Sequence, residues 1–152
     1  MQALIQRVTE ASVCVEGRVA GEIGRGILLL LGIEKGDGLA TVESMAQRVA
    51  SYRIFPDEKG HMNLSLTDIQ GAMLVVSQFT LAANTRKGLR PSFSSAALPK
   101  DAEALYEAFV VAARKYCANV QTGVFGGDMK VSLVNDGPVT FLLSGARQGS
   151  DA

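Results

Sequence analysis

Hydroxyl, amide and backbone donors gather at Ser77-Gln78-Phe79-Thr80-Leu81, where an apolar run that begins at Ala72 turns polar. A strand that ends in such residues leaves N–H and O–H groups free to meet a ligand, the arrangement that stabilises a developing oxyanion. The same groups can equally satisfy the backbone of a turn, and strand-end chemistry alone favours that simpler use. A second segment, Asn135-Asp136-Gly137-Pro138-Val139-Thr140, carries Gly-Pro between two apolar stretches and reads first as a tight turn. Neither segment by itself identifies an enzyme.

Other chemistries are short of residues. A serine or cysteine nucleophile of the usual kind needs an imidazole base, and His61 is the one histidine in the chain. It follows the turn-forming Pro56-Asp57-Glu58-Lys59-Gly60, where a solvated loop histidine is the better reading. One histidine and two scattered cysteines do not supply a zinc ligand set, so neither a metal nor a cofactor is expected. Gly21, Gly24 and Gly26 precede an apolar run in the wrong order for a dinucleotide loop and read as a turn. Cys14 and Cys117 lack CxxC spacing and are expected to be buried free thiols. Fifteen basic and fifteen acidic residues cancel, so any nucleic-acid contact must use a local patch. Arg86, Lys87 and Arg90 form one such patch, which reads equally as solvated loop charge.

The elements that must position these residues fit one domain, because 152 residues with 47% apolar content suffice for one core. Residues 2 to 9, 11 to 16 and 18 to 23 read as short strands, and 26 to 33 (GILLLLGI) as a fully buried one. Leu39, Val42, Met45, Ala46 and Val49 recur at helical spacing after Asp37, an expected N-cap, and predict a helix ending near Tyr52. Residues 53 to 55 look extended, 72 to 81 form an apolar strand, and 82 to 97 a polar loop. Pro99 fits a first helical position, with Asp101 and Glu103 matching the helix dipole. This second helix is predicted to run to about Tyr116, with Leu105, Phe109, Ala112, Ala113 and Tyr116 inward. Strands are then expected near 119 to 124, 129 to 134 and 139 to 144. The predicted fold class is α+β, mostly antiparallel sheets in a barrel-like arrangement covered by two main helices, over residues 1 to 145. Residues 146 to 152 are expected to be a flexible tail. No apolar run approaches the length of a membrane span, and no signal-peptide pattern opens the sequence, so a cytoplasmic location is expected.

In this order, and with their surroundings, the two polar segments resemble the D-aminoacyl-tRNA deacylase family. The likeness runs collinearly through QRV at Gln6 to Val8, GEIG at Gly21 to Gly24, EKGD at Glu34 to Asp37, RIF at Arg53 to Phe55, MNLS at Met62 to Ser65, SQFTL, TRKG at Thr85 to Gly88, RPSF at Arg90 to Phe93, and MKVSLVNDGPVT at Met129 to Thr140. The resemblance implies a homodimer that acts on the aminoacylated 3′ end of tRNA. It implies a catalytic pocket lined by Ser77, Gln78, Phe79 and Thr80, with Gly137 and Pro138 entering from the partner for substrate binding and chiral selection. In the family the Gly-Pro bond is cis and its carbonyl oxygens point into the pocket. Arg7 is similar to the family arginine that holds this motif, and Phe125 and Met129 to the residues that receive the terminal adenosine. Because an aminoacyl ester is already activated and its ribose carries a 2′-OH, a site of this kind needs positioning more than a base. The competing readings are a dimeric RNA-binding module without turnover and a general esterase using Thr80 or Ser77. The missing base argues against the last.

Overall fold

The computed structural model describes residues 1–145, so the tail expected from residue 146 lies outside the described residues. Its two most apolar runs become adjacent parallel strands, β3 (Gly26–Gly32) and β6 (Ala72–Ser77), with Gly26 opposite Ala72 and Leu31 opposite Ser77. Ile27, Leu29, Leu31, Met73 and Val75 enter one core, while Leu28, Ala72, Leu74 and Val76 enter a second on the other face. Strands covered on both faces carry continuous rather than alternating apolar sequence, which is why both runs are unbroken.

β1 (Gln2–Val15) is one long strand where the sequence predicts two. It runs antiparallel to β3 over its first half, to β2 (Arg18–Ile23) over its second, and to β8 (Met129–Ser144) along most of its length. Ala3 and Ile5 lie in the first core, but Val8, Ala11 and Val13 lie in the second. Irregular pairing with β8 on either side of Val8 makes that change of face possible. β8 likewise unites two predicted strands. Antiparallel pairing around β1 follows the expectation from sequence, whereas the parallel trio of β3, β6 and β7 (Val120–Thr122) does not. The helices inserted between these strands supply the crossovers that parallel neighbours require. The sheet curls until β2 meets β7. A Cβ at Gly21 would sit 2.5 Å from the Thr122 carbonyl oxygen, so glycine is needed for that approach.

α1 (Leu39–Ser51) and α3 (Pro99–Ala113) cover the outer face of the sheet and close the first core. α1 begins after Gly38 rather than Asp37. The Asp37 carboxylate is engaged elsewhere, accepting from the Glu34 amide at 2.7 Å and from the Met1 ammonium at 2.9 Å. α3 stops at Ala113, and it buries Ala102, Tyr106 and Val110 beside the expected Phe109, Ala112 and Ala113. Leu105 and Tyr116 pack only partly buried against that core. Two small elements escaped prediction: β5 (Met62–Leu64), which pairs with β4 (Phe55–Pro56) across the expected 56–60 turn, and the single turn α2 (Leu66–Ile69). α2 has a readable start, since Ser65 Oγ accepts from the Asp68 amide at 3.1 Å while Asp68 accepts from the Ser65 amide at 2.8 Å. No helix among the described residues is long and apolar enough to cross a membrane.

Candidate active site

The strand predicted to run to Leu81 ends at Ser77, and Phe79–Ala82 form a 3-10 turn instead. Gln78 still donates its amide to Leu31 O at 2.8 Å, after which Leu81 N to Gln78 O and Ala83 N to Thr80 O, both 3.2 Å, reverse the chain. This turn presses on the end of β3, where a Cβ at Gly32 would lie 2.9 Å from Leu81 Cβ and 3.2 Å from Gln78 O. Thr80 Oγ1 accepts a hydrogen bond from Gln78 Nε2, and both Thr80 and Phe79 are exposed. The Phe79 ring lies 5.1 Å from that of Phe93, tilted by 54°.

Ser77, Gln78 and Phe79 border a cavity of about 590 Å³ whose other walls include Phe125 and Met129. Five residues predicted from separate stretches of sequence therefore share one site. Thr80 does not line it. Gly123 makes room for Met129, since a Cβ there would lie 2.6 Å from its sulfur. Tyr106 backs the Phe125 ring at 5.8 Å and donates its hydroxyl to Val75 O at 2.9 Å. Burial pushes the Tyr106 phenol up to about 12. Lys35, Phe93 and Leu98 also line the cavity and were not singled out from sequence. Phe93, an aromatic within a polar loop, and Leu98, an exposed leucine just before a helix-starting proline, carried the only signals.

Gly137 and Pro138 lie away from this cavity on their own chain. They are joined by a cis peptide bond, and Gly137 has φ +137°. Arg7 lies beneath them, donating from Nε to Asp136 O at 2.9 Å and from Nη1 to Ile54 O at 2.7 Å. Asn135 spans the segment, accepting from Val139 N at 2.8 Å and donating to Thr140 Oγ1 at 2.9 Å. Pairing places Arg7, Ile27 and Met73 in one row across the sheet and Ala3, Leu31 and Ser77 in another. Four residues of strand separate the rows, about 13 Å at a strand's rise per residue.

Arg86, Lys87 and Arg90 are exposed on a loop pinched by an Asn84–Ser92 bridge. Asn84 Oδ1 caps its start by accepting from Arg86 N at 3.0 Å, Gly88 turns it at φ +72°, and Leu89 is fully exposed. His61 is exposed in its turn, with its amide on Asp57 Oδ1 at 3.0 Å. Cys117 is buried, and desolvation raises its thiol pKa. Cys14 is only half-buried, against expectation, because its strand carries intermediate exposure on that face. Among the described residues, no cluster of three histidine, cysteine or acidic side chains could hold a metal.

The geometry is compatible with one class of chemistry. An apolar cavity bordered by hydroxyl and amide groups, with the lone imidazole elsewhere, suits acyl transfer from an activated ester that is positioned rather than attacked by a side chain. Comparison with known proteins agrees with that class. The family model described as D-Tyr-tRNA(Tyr) deacylase matches residues 4–144. The D-aminoacyl-tRNA deacylase of Teredinibacter turnerae is 61% identical over 94% of this chain and 99% of its own, and that of Escherichia coli is 59% identical with the same coverage. A solved structure titled c-Myc DNA Unwinding Element Binding Protein is 42% identical, with a TM-score of 0.91 over 95% of this chain and 98% of its own. A probable eukaryotic D-amino acid tRNA deacylase, 16% identical at a TM-score of 0.78 over 93% and 97%, shares the fold. The chain belongs to the D-aminoacyl-tRNA deacylase family. As a deacylase it is a hydrolase.

Proposed function

We propose that the protein hydrolyses the ester joining a D-amino acid to the 3′ adenosine of tRNA, a chiral proofreading step of translation carried out in the cytoplasm. The observation that carries this reading is the cavity itself, where Ser77, Gln78 and Phe79 face Phe125 and Met129. Phe125 and Met129 receive the terminal adenosine, which places the ester beside the Ser77–Thr80 segment. Backbone N–H groups around Phe79 and Thr80 stabilise the oxyanion, and the substrate's 2′-OH assists attack by water. Thr80, outside the cavity wall, acts in positioning through Gln78, which lines the cavity and donates to its Oγ1. Neither metal nor cofactor takes part.

Gly137 and Pro138 serve a second copy of the chain. Their row lies about 13 Å along the sheet from Ser77, so within one chain they are too distant to meet an ester held there. In a homodimer the partner's pair enters the cavity, and its backbone fills the space an L side chain needs. Selection then works by rejection, many D-amino acids are accepted, and glycine, having nothing to exclude, is hydrolysed too. Arg86, Lys87 and Arg90 contact tRNA phosphates. Residues 1–145 act as one domain.

The test is incubation of purified protein with D-Tyr-tRNA, L-Tyr-tRNA, glycyl-tRNA and a nitrophenyl ester. Release of D-tyrosine and glycine, with L-Tyr-tRNA and the simple ester spared, is expected. Binding of all three tRNAs without turnover would make the protein an RNA-binding module, and rapid cleavage of the nitrophenyl ester a general esterase.

A further inference from the structure

Tyr106 sits on the inward face of α3 at 5% exposure, one turn beyond Ala102, which lines the cavity. Its hydroxyl and its ring engage different elements. Its hydroxyl donates to Val75 O, two residues before Ser77, and its ring lies 5.8 Å from that of Phe125 at 45°. Val75 O also accepts from Gly123 N at 3.2 Å, and Gly123 opens the 123–128 loop that carries Phe125. A buried tyrosine with a satisfied hydroxyl is ordinary core packing. What distinguishes this one is that it ties the strand leading into Ser77 to the Phe125 ring, and Ser77 and Phe125 both line the cavity.

We propose that Tyr106 is a positioning residue for the terminal adenosine, holding the Phe125 ring at the angle and distance at which an adenine base is received against it. The inference rests on reading the cavity as the adenosine site. Without the Tyr106 ring behind it, Phe125 loses its backing and the base its fixed platform. The hydroxyl matters less, because Val75 O keeps its bond from Gly123 N.

Binding of two uncharged tRNAs separates this role from simple stability, one complete to CCA and one lacking the terminal A. The wild type should prefer the complete tRNA by about tenfold or more, the usual worth of one stacked base. Tyr106→Met, which fills the volume without a ring, should lose most of that preference while binding the truncated tRNA as the wild type does. Tyr106→Phe should keep most of it. With D-Tyr-tRNA, the Met variant should show a raised KM and a nearly unchanged kcat. An undiminished preference in Tyr106→Met, or equal weakening toward both tRNAs, would overturn the positioning role. No preference in the wild type would instead overturn the adenosine reading on which it stands. Tyr106→Leu gives the same comparison should the methionine variant fail to fold.

Discussion

Thr80 bears the hydroxyl that would attack in a covalent mechanism, yet its Oγ1 is engaged by the amide of Gln78, and the lone imidazole lies exposed in the 57–61 turn. A hydroxyl without a base is a weak nucleophile. Thr80→Ala should therefore keep single-turnover deacylation within about tenfold of wild type, whereas a substrate ending in 2′-deoxyadenosine should lose far more. A folded Thr80→Ala enzyme that binds but does not turn over, together with full activity on the deoxy substrate, would return the chemistry to the protein hydroxyl. Gly137 is the sharper case. Its φ of +137° disfavours any L side chain, and a Cβ would sit 2.7 Å from Val139 Cγ2 and 3.1 Å from Arg7 Nη2. Gly137→Ala should cost about 1–3 kcal/mol of stability in a urea titration and remove most turnover of D-Tyr-tRNA. Activity at the wild-type level would mean the segment lies outside the site. At this scale the five residues that share one cavity were reached by two routes, Ser77, Gln78 and Phe79 through strand-end chemistry together with the motif, Phe125 and Met129 through family resemblance alone. Tyr106 was opaque, because the helical spacing that picked out Leu105, Phe109, Ala112 and Ala113 passed it over and reports no contact with Phe125.

The elements show a complementary limit. Periodicity located both long helices and the doubly buried β3, but it split β1 and β8 in two, since each strand changes face and so breaks its own alternation. The end of β6 was placed four residues late because Phe79 and Leu81 are as apolar as strand residues. What turns the chain at Gln78 is tertiary: the 3-10 turn stacks on Gly32, and no local pattern reports that approach. Gly32→Ala should therefore displace Gln78 and Leu81 from outside the cavity. Its kcat for D-Tyr-tRNA should fall by about tenfold or more, from misplaced donors, while its melting temperature falls only a few degrees. Unchanged kcat would show that the turn tolerates the shift. The 83–97 loop supports a different expectation, because its charges are exposed and sit apart from the cavity walls. Neutralising Arg86, Lys87 and Arg90 together should weaken tRNA binding and reduce the slope of log affinity against log salt by about 2–3, with D-over-L selectivity intact. An unaltered salt slope would assign these residues to solvent.

At the scale of the whole molecule, the proposed site needs both polar segments, and one chain does not bring them together. The described chain places the Ser77–Phe79 wall and the Gly137–Pro138 segment in separate rows of the sheet, and the sequence could imply their meeting only through family resemblance, because no intrachain pattern encodes a partner's position. Symmetry makes the consequence measurable. In the proposed two-fold dimer each cavity would take its Ser77–Phe79 wall from one protomer and its Gly137–Pro138 from the other. Take two impaired proteins, Gly32→Ala, damaged in the wall, and Gly137→Ala, damaged in the inserted segment. Unfolded together and refolded as an equal mixture, they form mixed dimers in which one cavity collects both defects and the other collects neither. Random pairing makes half the dimers mixed, so about a quarter of all cavities regain wild-type composition and activity should recover to that fraction. If instead each protomer completed its own site, every cavity in the mixture would keep one defect, and activity would stay at the mean of the two impaired parents. Recovery near a quarter of the wild-type rate, absent when either variant is refolded alone, would locate the site between subunits.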